Sequence, residues 1–170
     1  MRFPILPTVA LGLLAACNPV FNWREVRFDA ADVVALLPCK PDRGERQTTL
    51  GGPGTVMHMV GCDAGGATFA LAVAQLADAG KAGDVLAQWK AATLANTHSL
   101  SSIDLPFVPP GAAALPQSLR SSALGTRADG SAVGVHAAWF ARGSRVYHAV
   151  IYADNVDAEV ADTFFSGIKF

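Results

Sequence analysis

The strongest constraint on the fold comes from two neighbouring segments near the carboxyl end that are apolar on both faces. Segments 131–142 and 145–153 flank Gly143-Ser144, a pair that suits the central positions of a type II′ turn. A hairpin closed by this turn places Trp139 opposite His148, and the side chains of both faces are then mostly apolar. Such a sheet needs cover on both sides, which two helices and a long loop elsewhere in the chain can supply.

The remaining patterns predict further strands and two helices around this hairpin. Apolar alternation or short apolar runs predict strands over 25–28, 33–37, 47–50, 55–62, 67–76, 119–127 and 168–170, with polar turns over 40–44, 51–54 and 63–66. Apolar residues three and four positions apart predict a helix over 81–96. Asn155 and Gly167 suit the start and the end of a second helix over 156–166. We therefore expect an α+β fold: a mostly antiparallel sheet of about six or seven strands flanked by helices, as an α/β/α sandwich.

Composition indicates one globular domain and argues against a nucleic-acid partner. The chain has 170 residues, of which 51% are hydrophobic and 16% are charged, and its formal net charge is -1. A chain of this length buries a sizeable core without needing a metal ion for stability. Because the charges are balanced, the surface offers no basic field that would attract DNA or RNA.

No combination of residues predicts catalysis or metal binding. His136 and His148 fall on opposite faces of the predicted hairpin, and His58 belongs to another strand, which disfavours a shared metal site. Gly51-Gly52-Pro53-Gly54 lacks the G-x-G-x-x-G spacing and is predicted to be a turn. We predict a non-enzymatic protein with no catalytic residue, metal or cofactor. A hydrolase or metal enzyme is the alternative if two histidines meet an acidic group.

The amino terminus has the pattern of a secretory signal. Residues 3–14 are apolar but too short to span a bilayer as a helix. The following Leu14-Ala15-Ala16-Cys17 resembles the lipobox of bacterial lipoproteins, in which the cysteine sulfur carries a diacylglycerol. The resemblance implies that Cys17 is lipidated and, because Asn18 follows it, that the protein is anchored at the periplasmic face of the outer membrane. Ordinary cleavage after Ala16, which leaves Cys17 as a free thiol, is the alternative.

The two remaining cysteines, Cys39 and Cys62, form an even pair in an exported chain, and we expect a disulfide between them. A redox or metal-binding pair is disfavoured because the sequence has no C-x-x-C spacing. Two buried thiols that never pair are the remaining possibility.

A long connection over residues 99–117 is rich in proline and holds several apolar side chains. Loops of this length in compact domains often form lids or binding loops. We therefore predict a candidate interaction surface here, made of Ile103, Leu105, Phe107, Val108 and Leu115. A loop that only packs over the sheet is the alternative.

Both ends of the mature chain resemble PsbP-like domains. Segment 145–152, followed by a helix that ends in Phe164-Phe165-Ser166-Gly167-Ile168, looks like their terminal strand and helix. The opening strand 34–37 with Pro38-Cys39-Lys40-Pro41 is similar to their early strand and its Pro-x-x-Pro turn. The resemblance implies a PsbP-like α/β/α sandwich and a non-catalytic accessory or assembly role, and it assigns no functional residue.

These observations divide the chain into a signal peptide (1–16), a lipid anchor and tether (17–23) and a single α+β domain (24–170). The first hypothesis for its function is an outer-membrane lipoprotein that serves as a protein-interaction or assembly module for an envelope partner. The alternative is a carrier or sensor of a small apolar ligand or lipid, held between the sheet and the 99–117 loop. A continuous cavity lined by Trp89, Phe107 and Trp139 would favour that alternative.

Overall fold

The structure is a computed structural model that describes residues 20–29 and 31–170. Its elements in chain order are β1 (Arg24–Phe28), β2 (Val33–Leu37), β3 (Asp42–Thr48), β4 (Thr55–Ala64), β5 (Ala67–Gln75), α1 (Ala82–Asn96), β6 (Ile103–Pro106), β7 (Leu119–Thr126), β8 (Ala132–Arg142), β9 (Arg145–Ala153) and α2 (Ala158–Ser166). Seven strands form one sheet in the order β3-β4-β5-β9-β8-β7-β6, and β1 and β2 form a separate hairpin. Every strand pairing is antiparallel, which confirms the predicted α+β fold with a mostly antiparallel sheet.

The β8–β9 hairpin has the predicted register. Arg142 pairs with Arg145, and Trp139 pairs with His148. Gly143 has a φ of 56°, the positive value that the first central position of a type II′ turn requires. The turn therefore fixes which side chains of the two central strands share a face.

Both faces of the sheet are buried, as the two apolar faces of the hairpin require. On the first face Phe140, Tyr147 and Ile151 pack in a core with Phe164 and Phe165 of α2. On the second face the core is formed with α1, and its members include Trp89, Trp139, Leu86 and Val135. The two helices therefore cover opposite faces, and the sheet separates two cores.

The β1–β2 hairpin covers part of the first face, a role that we expected only the helices and the long loop to fill. The buried hydroxyl of Tyr147 donates to the carbonyl of Ala31, beside this hairpin, at 2.8 Å. Val34 of β2 exchanges backbone hydrogen bonds with Lys169, so the predicted strand over 168–170 is a single bridge. A disulfide between Cys39 and Cys62, with 6.0 Å between their Cα atoms, joins the hairpin to β4.

Two segments predicted as irregular contain strands at the edges of the sheet. The predicted turn over 40–44 is wrong beyond Pro41, because β3 begins at Asp42. Its charged residues suggested a turn, yet an edge strand exposes such side chains without cost. The 99–117 connection includes the four-residue strand β6, which ends at Pro106, where a missing N–H does no harm.

The second helix starts later than predicted. Asp157, not Asn155, is its N-cap: the Asp157 carboxylate accepts from the backbone N–H groups of Glu159 and Val160 at 2.8 and 3.2 Å. Both Asn and Asp suit this position, and only the path of the chain after β9 decides between them. Gly167 ends the helix as expected.

Candidate functional site

Four of the six large apolar side chains that the described residues leave exposed lie at one corner of the main sheet. Ile103, Leu105 and Leu124 are 74%, 61% and 79% exposed, and Leu100 is fully exposed. We call these four residues the edge patch. A group of neighbouring exposed apolar side chains often marks a binding surface, whereas single exposed apolar side chains scattered over a protein do not.

The register of the strands places three members of the edge patch on the same face. Ile103 pairs with Ser122 and Leu105 pairs with Arg120, and Leu124 follows two residues after Ser122. Because side chains alternate along a strand, all of these residues point to the face that α2 covers further along the sheet. Helix α2 packs mainly on β2 and in the first core, and Ile103, Leu105 and Leu124 stay mostly exposed.

Arg120 forms the border between the edge patch and the first core. Its guanidinium lies 4.4 Å from the centre of the Phe165 ring and donates to the Asp162 carboxylate at 2.7 Å. The arginine thereby shields the buried aromatic side chains of α2 from solvent and closes that core. The edge patch is therefore a separate surface and not an opening into the core.

An open groove of about 590 Å³, which we call the edge groove, runs beside the edge patch. Leu100, Ile103 and Leu124 form part of its wall, residues 154–156 form another part, and His136 also lines it. Burial, assisted by the charge of Arg120, lowers the pKa of His136 below 6.5, although Asp162 acts in the opposite direction. The imidazole is therefore neutral at neutral pH, and this part of the groove is polar but uncharged.

Strand β6 is anchored by Asp104, whose side chain points to the opposite face. Its carboxylate forms a salt bridge with Lys90 of α1 and accepts hydrogen bonds from Ser121 and Ser102 at 2.6 and 2.8 Å. Partial burial raises the pKa of Asp104, but the hydrogen bonds from Lys90, Ser121 and Ser102 together hold it below its usual range. Asp104 thus attaches strand β6 to α1, while its two sequence neighbours, Ile103 and Leu105, are exposed on the other face.

Within residues 20–29 and 31–170, the outer edge of β6 has no neighbouring strand. The N–H of Phe107 donates to the carbonyl of Ser118 at 2.9 Å, and hydrogen-bonding residues alternate along an antiparallel pair. Ile103 and Leu105 therefore direct their backbone groups towards β7, and Asp104 directs its N–H and C=O to the free edge. This edge can accept another extended chain.

The predicted interaction residues do not share one environment. Ile103, Leu105 and Val108 are exposed, and Val108 lies just beyond β6. Phe107 is instead half-buried, with its ring centroid 5.8 Å from those of Phe140 and Phe165, and Leu115 packs against the second core. These two residues secure the connection to both cores and do not form part of the exposed surface.

Two residues of the edge patch, Leu100 and Leu124, were not among the predicted interaction residues. Leu124 follows Arg120 and Ser122 at alternate positions of β7, so it is an apolar residue on an otherwise polar strand face. That pattern was the available signal. Leu100 lies outside any periodic segment, and nothing in the sequence marks it.

The three histidines considered above lie in separate environments. His148 is buried between Trp89 and Trp139, and burial lowers its pKa to about 3. The Nδ1 atom of His58 lies 3.4 Å from the Glu45 carboxylate at the other edge of the sheet. Within residues 20–29 and 31–170 no group of three potential ligand side chains could hold a metal ion.

The predicted signal peptide, the lipidation site Cys17 and the first residues of the tether lie outside the described residues. No helix within the described part of the chain is long and apolar enough to cross a membrane.

No family model and no curated protein sequence matches this chain. Among solved structures, it is similar to a protein of unknown function from Pseudomonas aeruginosa, with 14% sequence identity and a TM-score of 0.35. The similarity covers 77% of this chain and 82% of that protein. A likeness at this level assigns no function.

Proposed function

We propose that this chain is an outer-membrane-anchored periplasmic lipoprotein that acts as a non-enzymatic protein-interaction or assembly module. The edge patch is the observation that carries the interaction role, because it concentrates exposed apolar side chains at a strand whose outer edge has no partner within the described residues. The lipobox-like sequence that ends at Cys17 supports the anchor. The resemblance of both chain ends to PsbP-like domains agrees with an accessory role.

The two edge strands of the main sheet differ in the number of charged side chains that they carry. Strand β3 carries Asp42, Arg43, Glu45 and Arg46, and these exposed charges discourage pairing with another chain. Strand β6 reads Ile-Asp-Leu-Pro and has one charged residue, which is held by α1. Within the described residues, exposed charges therefore protect the β3 edge against pairing more strongly than the β6 edge.

The geometry of β6 indicates the chemistry of the partner. An extended segment that pairs with β6 would bond to the backbone of Asp104, while its own side chains alternate between the two faces. On the face of the edge patch, every second side chain of the segment would lie beside Ile103 and Leu105 of β6, and Leu124 continues this apolar surface on β7. We therefore expect a partner strand with apolar residues at alternate positions.

A ligand held between the sheet and the 99–117 loop is the alternative function. The cavity that would have favoured it, lined by Trp89, Phe107 and Trp139, does not exist in the described structure: Phe107 belongs to the first core, and both tryptophans belong to the second. A ligand near this loop would have to occupy the open edge groove. The experiment below separates a protein partner from such a ligand.

Site-specific photocrosslinking in intact cells tests the interaction role. A photoreactive amino acid in place of Leu105 is expected to yield one discrete protein adduct in the envelope fraction. The same amino acid in place of Glu45, exposed on β3 at the opposite edge, serves as the matched control. Leu124→Ser should reduce the Leu105 adduct at least about fivefold while changing the free energy of unfolding by less than about 0.5 kcal/mol, because the side chain is mostly exposed.

Equal adducts from both edges, or an adduct at position 105 that Leu124→Ser leaves unchanged, would contradict the proposed docking surface. A small-molecule adduct at position 105 without any protein adduct would favour the ligand-binding alternative.

Cell fractionation tests the anchor separately. Cys17→Ser cannot be acylated on sulfur, so the variant should leave the outer-membrane fraction while the native chain stays there. A variant that still fractionates with the outer membrane would exclude the lipid anchor, whatever the crosslinking shows.

A further inference from the structure

A second groove lies on the other face of the sheet, where α1 leaves the strands near β3 uncovered. Helix α1 packs mainly on β8 and β9, and the space beside it has a volume of about 300 Å³. We call it the α1 groove. Among its lining residues are Met57, Met59 and Ala70 from β4 and β5, and Trp89 and Ala92 from α1. Its volume is at the lower end of the range of about 300–1,000 Å³ for small-molecule sites.

The α1 groove contains a buried polar group without a partner. His148 lines the groove and is 7% exposed, yet its Nε2 atom is enclosed and makes no hydrogen bond within the described residues. The enclosed indole Nε1 of Trp139, whose ring stacks on the imidazole, also has no partner there. Buried polar atoms are nearly always satisfied by protein or by water, so these two ring nitrogens are polar points in an otherwise apolar part of the second core.

The charge at the groove is positive. Among the described residues that line the α1 groove, Arg46 alone carries a formal charge, and it lies exposed on β3. Within those residues Arg46 has no carboxylate within salt-bridge distance. An apolar surface with one free guanidinium at its rim is complementary to a molecule with an apolar body and a single carboxylate.

We propose that the α1 groove binds a small apolar carboxylic acid, with the apolar body against Met57, Met59 and Trp89 and the carboxylate at Arg46. The imidazole of His148 forms part of the wall of the groove. This site is independent of the proposed docking surface, because the edge patch lies on the opposite face of the sheet.

Nuclear magnetic resonance titration of the purified protein with sodium octanoate tests this site, and 1-octanol is the uncharged probe of the same chain length. Octanoate should shift the indole N–H signal of Trp89 in a saturable way and leave that of Trp23, which packs with Phe69 on the other face, unchanged. Octanol should bind at least about fivefold more weakly, and Arg46→Gln should remove this preference.

Groove-filling variants locate the binding. Ala70→Leu fills the groove from the sheet, and Ala92→Leu narrows it from an exposed position on α1, so one variant remains informative if the other fails to fold. Each should weaken octanoate binding by roughly tenfold or more, a change that equals about 1.4 kcal/mol. Leu124→Ser on the edge patch is the matched control and should bind octanoate like the native chain.

Three results would overturn the proposal. Octanoate could leave the Trp89 signal unshifted, Leu124→Ser could weaken binding as much as Ala92→Leu does, or octanol could bind as tightly as octanoate.

Discussion

At the scale of single residues, His148 should make the stability of the protein depend on pH. Its pKa is about 3 in the folded chain and about 6.5 when exposed, so the unfolded chain binds a proton in this range that the folded chain does not. The free energy of unfolding should therefore fall with decreasing pH, by about 1.4 kcal/mol per pH unit between pH 6 and pH 4 from this residue alone. Urea denaturation of the native chain and of His148→Phe measures the effect. The free energy of unfolding of His148→Phe should fall less steeply with decreasing pH than that of the native chain. If both fall equally steeply, His148 takes up its proton in the folded chain as readily as in the unfolded chain.

At the level of secondary structure, the local stability of the edge strand β6 depends on the contact between Asp104 and α1. Asp104→Asn removes the charge that pairs with Lys90 and weakens the hydrogen bonds from two serines. The variant should therefore be about 1 kcal/mol less stable than the native chain. The loss should appear first as faster amide exchange in β6 and β7, since β6 pairs with β7 alone. Because the pKa of Asp104 is lowered on folding, its contribution is present above the pKa of the unfolded chain and disappears in acid. Exchange that rises equally in β3 would show a global effect and contradict an anchor specific to β6.

The central strands were easier to predict from the sequence than the edge strands. The hairpin β8–β9 was predictable to the residue because a two-residue turn fixes its register, and its two apolar faces required the two cores. The edge strands β3 and β6 were not, because exposed strands lack the apolar alternation that marks a buried one. The candidate surface was predicted only in part for a related reason. Phe107 is half-buried because its ring packs against Phe165 of α2, whereas Leu105, two residues earlier on the same face, is exposed. This difference depends on the position of α2 in the folded chain and cannot be read from the sequence.

At the scale of the whole molecule, the disulfide joins layers far from the free edge of the sheet. Cys39 and Cys62 are 23 residues apart, and closing a loop of this size should stabilise the folded chain by about 3.5 kcal/mol. The double variant Cys39→Ala with Cys62→Ala should lose about that much free energy of unfolding, a large fraction of the 5–15 kcal/mol typical of a domain. Strand β4 pairs next to β3, whereas β6 is the last strand at the other edge. Below its unfolding transition, the double variant should therefore still crosslink through position 105. Loss of the adduct while the sheet remains folded would mean that the disulfide shapes the edge patch, and that the two edges do not behave independently.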